Sequence, residues 1–167
     1  YPSRSSYFQP IIEKLEYISP EIVGTPPFVL VEGISDYYAL QIAQRILNIK
    51  LSFNLIPGVG SGACGPLISQ MMGRGERFLI LLDDDKAGRK EAERYKSEWY
   101  LPADIVFTLG EIDQTFVSKR LEELLGQETI EIIQQKIKTT SIPSKKQIGW
   151  YLSEVCASKT LDQNPIS

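Results

Sequence analysis

Short apolar runs alternate with segments of helical periodicity through the first two-thirds of the chain. Runs of strand length occur at residues 28–31, 51–56, 77–82 and 104–109, and apolar residues recur every three or four positions between them. The third run is almost continuously apolar, which is typical of a strand buried on both faces of a sheet. This alternation predicts an α/β fold: a Rossmann-like parallel sheet with right-handed crossovers, flanked by helices.

The segments between the strands predict three helices. Ser35 is expected to cap a helix that runs from the next residue to Leu47. The second helix is expected to end near Met72, and the third near Trp99. Residues 28–115 would therefore form the α/β core.

Both ends of the chain differ from this core. An apolar helix face followed by a Pro-rich stretch predicts that residues 1–27 are the tail of an upstream domain and a linker. The chain begins with tyrosine, and we expect it to be a piece of a longer protein. The helical pattern beyond the sheet predicts a carboxy-terminal extension over residues 116–160, with a flexible tail at 161–167. Residues expected to share one helix face in this extension are Val117, Leu121, Leu124 and Leu125.

Three consecutive carboxylates, Asp83, Asp84 and Asp85, directly follow the third strand. Ligands of open α/β sheets bind beyond the carboxyl ends of the strands, where these acids would lie. Because side chains alternate along extended chain, Asp83 and Asp85 are expected to point the same way, roughly 6–7 Å apart, and Asp84 away. Such a pair can flank one hard cation or help to hold two. The alternative is a solvated strand end whose acids favour the start of the next helix.

Glu32 and Asp36 follow the first strand. If the first and third strands are neighbours, Glu32 converges with Asp83 and Asp85, and Asp36 lies one helical turn further along. Gly33 permits a sharp turn between them. Glu32 could instead be a solvent-exposed acid, and Asp36 could serve only the helix dipole.

Further acids and two lysines occur in the helical extension. Because Glu122 and Glu123 lie between two leucines of a predicted helix, one of them could be held near the core, although a surface face is the plainer interpretation. Lys145 and Lys146 lie at the start of a last helix that is expected to reach Ala157. They are the expected basic partners of a phosphate, unless they mark only a solvated helix start. The acids that follow the fourth strand are Glu111, Asp113, Glu122 and Glu123.

A glycine-rich loop follows the second strand. Its glycines include Gly58, Gly60 and Gly62, and backbone N–H groups in a loop that opens a helix can cradle a phosphate. The loop lacks the Gly-Lys-Ser/Thr of a P-loop and does not fit the dinucleotide-binding fingerprint. A plain tight turn is the alternative.

Composition narrows the possible chemistry. The absence of histidine excludes His-based triads, histidine general bases and His-ligated zinc. Cys64 and Cys156 are too far apart for a zinc-site pair, and we expect free thiols in a reducing, cytoplasmic setting. The net charge of −3 gives no overall attraction for nucleic acid, so DNA would bind through local basic groups, metal ions or another domain. No apolar run approaches membrane-spanning length, and no signal peptide is visible, so we expect no membrane partner.

Three motifs occur together in this chain. They are the run Val31–Asp36 at the end of the first strand, the glycine loop after the second, and the run Leu82–Arg89 at the end of the third. Over about residues 28–109 this combination resembles a TOPRIM domain, the metal-binding fold shared by topoisomerases, bacterial primases and several nucleases. The resemblance implies that Glu32 is a metal ligand or acid/base group. It also implies that Asp83 and Asp85 form an Asp-x-Asp metal pair.

Among TOPRIM proteins, the chain is most similar to the carboxy-terminal nuclease domain of the OLD (overcoming lysogenization defect) family. The similarity implies that Asp36 is a second acid, that Glu122 is a further acid, and that a lysine at the start of the last helix is functional. Lys145 is the preferred residue, with Lys146 as the alternative. The similarity also implies an upstream ATPase domain, through which the protein could bind ATP and form a homodimer.

These features predict a metal-dependent DNA endonuclease or nickase. Glu32 and Lys145 would be catalytic, with Lys145 neutralising charge on the scissile phosphate. Alternatives are a primase-like nucleotidyl transferase and a non-catalytic metal-binding module that docks nucleic acid or a partner. The ligands expected for two ions, Mg²⁺ or Mn²⁺, are Glu32, Asp36, Asp83, Asp85 and Glu122. The residues expected to bind substrate are Gly58, Gly60, Gly62 and Lys146.

Overall fold

Four parallel strands form the centre of the structure, a computed structural model that describes residues 8–18, 28–58 and 64–158. Their order across the sheet is β2-β1-β3-β4, and every pairing is parallel. The predicted α/β fold with a parallel sheet is confirmed, and β1 and β3 are neighbours, as the predicted site requires. The strands are β1 (Phe28–Val31), β2 (Asn54–Pro57), β3 (Phe78–Leu82) and β4 (Val106–Thr108).

Helices pack on both faces of this sheet. Alternate strand residues enter two separate cores: Val29 and Leu79 pack with α1, α2 and α7, whereas Leu30 and Ile80 pack with α3 and α4. This two-sided burial explains the apolar strand sequences. The helices are α1 (Gln9–Ile18), α2 (Ile34–Ile46), α3 (Gly65–Gly73), α4 (Lys86–Glu98), α5 (Leu109–Ile112), α6 (Gln127–Ile137) and α7 (Lys145–Ala157). Two 3₁₀ helices between α5 and α6 span Gln114–Phe116 and Leu121–Leu125.

Several element starts differ from the sequence prediction, among them β3 at Phe78 rather than residue 77 and β4 at Val106 rather than residue 104. β2 begins at Asn54 rather than Leu51, and there it pairs with Phe28, the first residue of β1. α2 begins at Ile34 with Gly33 as its N-cap. Ser35 therefore lies buried inside the first turn and does not cap the helix.

The segment after β4 is not the continuous helical pattern that was predicted. Leu109 opens the short helix α5 instead of ending β4, and Val117 is exposed in a turn. Ser118 follows with a φ of 61°, outside the range of a regular right-handed helix. Leu121 and Leu124 are buried as expected, but on a 3₁₀ helix.

The first helix contributes to the same core as the sheet. Phe8, Ile11, Ile12 and Leu15 are buried, and α1 contacts α2 and α5. The amphipathic helix predicted as the tail of an upstream domain thus packs on this α/β unit. The predicted linker at residues 19–27 and the predicted flexible tail at residues 161–167 lie outside the described residues. Within the described ranges, no helix is both long and apolar enough to cross a membrane.

Candidate metal centre

The carboxyl ends of β1 and β3 place Glu32 beside Asp83. The register pairs Val31 with Leu81, so the residues that follow leave the sheet at the same edge. The backbone N–H of Asp83 donates to Glu32 Oε2 at 3.2 Å, and both side chains are buried. The structure therefore shows the convergence of these two acids that the sequence predicts.

Asp36 enters the site from the first turn of α2. Its Oδ2 accepts a hydrogen bond of 2.9 Å from the N–H of Gly33, the N-cap residue. An acid at this position satisfies an N–H that the start of a helix leaves unpaired. The other oxygen, Oδ1, is buried and has no hydrogen-bond partner among the described residues. Asp36 thus stabilises the helix start and also leaves one oxygen available to the site.

Glu122 is the late acid that reaches this site. The N–H of Leu121 donates to Asp83 Oδ1 at 2.8 Å, which holds the second 3₁₀ helix against the end of β3. Glu122 is only 8% exposed, and its Oε2 has no hydrogen-bond partner in the described part of the chain. Glu123 is exposed, and Glu111 belongs to the capping box of α5. The tertiary structure therefore distinguishes acids that the sequence left as alternatives.

Asp36, Asp83 and Glu122 form a buried acidic cluster. Each offers one carboxylate oxygen, and these atoms all lie within 4.8 Å of one another. Carboxylates this close disfavour one another's ionised form unless protons or a cation compensate the charge. Oxygen ligands are those that hard divalent cations such as Mg²⁺ prefer. The donor set and the two unpartnered oxygens therefore fit a divalent cation.

Lys145 places its ammonium group among these acids. Its Nζ lies 2.6 Å from Asp83 Oδ2, 3.7 Å from Glu122 Oε1 and 3.8 Å from Glu32 Oε1. Lys146, the next residue on α7, is exposed. Of the two lysines left open by the sequence, Lys145 is the one directed into the cluster.

The position of α7 follows from its cap and its packing. Ser144 caps the helix and accepts a hydrogen bond from the N–H of Gln147. Ile148 and Leu152 are buried on the face that packs against α2. A Cβ at Gly149 would lie 3.0 Å from Ile34 Cγ2, so glycine allows the two helices to approach closely. This close packing brings the first residue of α7 to the strand ends.

Asp85 caps α4 and does not belong to the acidic cluster. Its Oδ1 accepts a hydrogen bond of 2.8 Å from the N–H of Gly88, and its Oδ2 lies 3.1 Å from Arg120 Nε. Asp84 is buried beside Arg89 and shares neither of the side-chain partners of Asp83. Glu32 lies at the edge of the cluster, within reach of Lys145. The five predicted ligands thus divide into a group of three, one neighbouring acid and one helix cap.

The charges of the cluster are only partly compensated. Burial raises the pKa of Glu32, Asp36 and Glu122, and the neighbouring charge of Asp83 adds to the shift in each case. Burial alone would lower the pKa of Lys145, but the hydrogen bond and charge of Asp83 outweigh it and raise that pKa. Lys145 therefore stays positively charged, while Glu32, Asp36 and Glu122 bind protons more readily than exposed acids do.

In EDTA, we expect the melting temperature to fall as the pH rises above 4.5, the ordinary pKa of a glutamate. Between pH 4.5 and the raised pKa values, these acids still hold protons in the folded protein, whereas the unfolded chain has already released them. Stability is therefore lost as the pH rises through the raised pKa values. Glu122→Gln keeps the shape of the side chain but cannot titrate, so its decline should be shallower. Thermal unfolding across a pH series measures both slopes, and equal slopes would contradict the assignment.

Gly58 has a structural role in this structure. Its N–H donates to the carbonyl of Val31 at 2.8 Å, and an added Cβ would lie 2.7 Å from the carbonyl oxygens of Val31 and Glu32. Glycine is required because the chain passes directly against the strand end that carries Glu32. The N–H predicted to bind substrate is thus used within the fold. Gly60 and Gly62, predicted with it, lie outside the described residues.

Sequence reasoning assigned no role to Arg120 or to the backbone of Leu121. Arg120 binds Asp85, and the N–H of Leu121 binds Asp83. The apolar spacing predicted a regular helix here, but the segment forms turns and a 3₁₀ helix, so the predicted helix did not indicate these contacts. The basic pair Lys119-Arg120, shortly before Glu122, was a sequence signal that could have suggested contact with the aspartates.

Comparisons with models of protein families, with curated proteins and with solved structures give no match. The resemblance to the TOPRIM and OLD families therefore remains a hypothesis based on sequence motifs. The function of the chain has to be inferred from the geometry of the acidic cluster.

Proposed function

We propose that this domain is a metal-dependent nuclease that hydrolyses DNA phosphodiesters. The observation that carries the proposal is a pair of buried oxygens, Asp36 Oδ1 and Glu122 Oε2. Neither has a hydrogen-bond partner among the described residues, and both carboxylates lie in one cluster with Asp83. An unpaired buried carboxylate oxygen is unfavourable, and a divalent cation would compensate it. Because all the ligands offered are oxygens, Mg²⁺ and Mn²⁺ suit the site.

Each residue of the site has a distinct part in this proposal. Asp36, Asp83 and Glu122 would hold the cation. A bound Mg²⁺ or Mn²⁺ supplies Lewis-acid polarisation of a phosphate oxygen and favours ionisation of the attacking water. Lys145 would place positive charge against the scissile phosphate as its negative charge grows. Glu32, whose pKa is raised, would exchange a proton with the reacting groups, since the chain has no histidine to do so.

A second cation, which the family resemblance implies, would draw on the remaining predicted ligands. Glu32 lies beside the cluster, but Asp85 is engaged with the N–H of Gly88 and with Arg120. Binding by Asp85 would therefore compete with the cap of α4. The first cation would lie in the three-acid cluster, and a second could be held by Glu32 and Asp85 only if Asp85 left its present partners.

Basic side chains near the site favour a polyanionic substrate such as DNA. Arg89 pairs with Asp84 and Arg120 pairs with Asp85 at the end of β3. The other basic residues are exposed lysines close in sequence to these two arginines. Because the whole chain carries a net charge of −3, local groups of this kind would have to bind the phosphate backbone. The basic residues concerned are Lys86, Arg89, Lys90, Lys119 and Arg120.

The wider assembly is proposed from the family resemblance alone. An upstream ATPase domain would bind ATP and could join two copies of the protein. A cytoplasmic setting would suit Cys64 and Cys156, which are not joined in a disulfide. The chemistry proposed for the acidic cluster requires none of these features.

A non-catalytic role is the second candidate, and the contact between Lys145 and Asp83 favours it. An ammonium 2.6 Å from this carboxylate already compensates part of the cluster's charge, as a structural ion pair would. The domain would then dock nucleic acid or a partner without cleaving it. Primase-like nucleotidyl transfer is the remaining alternative. Incubation with labelled nucleoside triphosphates and a single-stranded template would detect that reaction.

Mn²⁺ and Mg²⁺ are expected to raise the melting temperature and to support nicking of plasmid DNA, and EDTA should abolish both effects. A ligand bound only by the folded state stabilises it by roughly 2.7 kcal/mol at 100 times its Kd. Glu122→Gln should need a much higher Mn²⁺ concentration for both responses, whereas Glu123→Gln, at the exposed neighbouring position, should keep the wild-type responses. No thermal response to either ion would contradict the metal site. A thermal response without cleavage would favour the docking role.

A further inference from the structure

Asp83, Asp84 and Asp85 each bind a different part of one short segment, residues 118–121, which we call the docking segment. Asp83 accepts the N–H of Leu121, and Asp85 pairs with Arg120. Asp84 makes two contacts: its Oδ2 accepts the N–H of Ser118 at 2.6 Å, and its own N–H donates to the carbonyl of Lys119 at 2.9 Å. Glu122 is the residue that directly follows the docking segment. The end of β3 therefore holds the segment that places Glu122 in the site.

Asp84 is the most buried of the three aspartates after Asp83. It is 5% exposed, and Arg89 contacts both its carbonyl oxygen and, at 3.3 Å, its Oδ2. A Cβ at Gly110 would lie 2.8 Å from the carboxyl carbon of Asp84, so α5 also closes against this side chain. A carboxylate confined in this way fixes the N–H that it accepts. That N–H belongs to Ser118, whose φ of 61° turns the chain back toward β3.

We propose that Asp84, supported by Arg89, is a positioning residue that holds the docking segment on β3 and thereby places Glu122 in the acidic cluster. The inference rests on the proposed function, because it assigns a role toward the metal to a residue that does not reach the cluster. The coupling is short, since only three residues separate Ser118 from Glu122. If the segment detaches, the N–H of Leu121 leaves Asp83 and the carboxylate of Glu122 leaves its neighbours. The middle aspartate then acts on the site through Glu122.

A double-mutant cycle on Mn²⁺ affinity tests this role. Asp84→Ala is expected to weaken Mn²⁺ binding by roughly 10–100-fold, the usual effect of removing a residue that orients a ligand. In a Glu122→Gln background the same substitution should cause almost no further loss, because the residue through which it acts is already absent. Asp104→Ala, at an exposed position, is the matched control and should bind Mn²⁺ as the wild type does. Equal losses in both backgrounds, or no loss in the single variant, would overturn the inference.

A milder variant and a second measurement keep the inference testable if Asp84→Ala fails to fold. Asp84→Asn keeps an acceptor for the Ser118 N–H but weakens the pairing with Arg89, so its Mn²⁺ affinity should lie between those of wild type and Asp84→Ala. In the metal-free protein, Asp84→Asn should also speed hydrogen exchange at residues 118–122 and leave exchange in β1 unchanged. Unchanged exchange in the docking segment would overturn the positioning role even if Mn²⁺ binds. Failure of wild-type protein to bind Mn²⁺ would instead overturn the proposed function, while the exchange result still decides whether Asp84 holds the segment.

Discussion

Replacing Asp83 with asparagine is expected to remove both metal-induced stabilisation and strand cleavage. Asp83 makes hydrogen bonds to three different parts of the site. Its N–H binds Glu32, its Oδ1 accepts the N–H of Leu121, and its Oδ2 accepts Lys145. We expect cleavage to fall by roughly 10³-fold or more, at the upper end of losses caused by removing one preorganised electrostatic contact.

The chemistry of the amide explains why so small a change should have so large an effect. Both oxygens of Asp83 accept hydrogen bonds, so an asparagine must direct its NH₂ group at a donor, either the Leu121 N–H or the Lys145 ammonium. If the NH₂ group faces the Leu121 N–H, a buried donor is left unsatisfied, which destabilises the metal-free protein by roughly 1–3 kcal/mol. If it faces the half-buried Lys145, the ion pair between Lys145 and Asp83 is lost instead. Asp104→Asn, at an exposed position, should change neither stability nor activity.

Thermal unfolding with and without Mn²⁺, together with single-turnover cleavage of a plasmid, measures the effect of Asp83→Asn. The wild type should unfold at a higher temperature in Mn²⁺, and the variant at the same temperature with and without the ion. If Asp83→Asn still responds to Mn²⁺ as the wild type does, the cation is bound elsewhere and the acidic cluster is structural.

Replacing Lys145 with methionine is expected to separate metal binding from catalysis. The ammonium occupies Asp83 Oδ2, the oxygen of Asp83 that is not bound by the Leu121 N–H. Its removal leaves the acids without their internal positive charge, so the metal-free protein should be less stable and the stabilisation by Mn²⁺ should be larger than in the wild type. Turnover should nevertheless fall by roughly 10²-fold or more, because a positive charge facing the phosphate has been lost.

Lys146→Met is the matched control for this prediction. Lys146 is exposed and lies about 100° further round α7, so its replacement should leave both the Mn²⁺ response and turnover at saturating DNA near the wild-type values. It should weaken DNA binding slightly at low salt, as one screened phosphate contact would. A Lys145→Met protein with wild-type turnover would show that the lysine is only a structural counter-ion. Loss of turnover in Lys146→Met instead would show that the two lysines exchange roles when DNA binds.

The sequence by itself determined the architecture of the sheet and the position of its acids along the chain. Alternating apolar runs and helical segments require a parallel sheet with covered faces, because each strand must bury both of its sides. Acids placed immediately after β1 and β3 must then lie at one edge of that sheet, as Glu32 and Asp83 do. These conclusions follow from local periodicity and from the direction of parallel strands, and both can be read without knowing any long-range contact.

Only the tertiary structure decided which of the remaining residues join the site. Asp85 caps α4, where its side chain accepts the N–H of Gly88. The alternation of side chains along an extended strand does not predict this competing hydrogen bond. Glu122 reaches the cluster because the docking segment follows turns and a positive φ at Ser118, which apolar periodicity does not encode. Lys145 lies 62 positions from Asp83 in sequence, and the two meet only because α7 packs closely on α2. Contacts between distant segments depend on how whole elements pack together, so the pattern of any one segment cannot specify them.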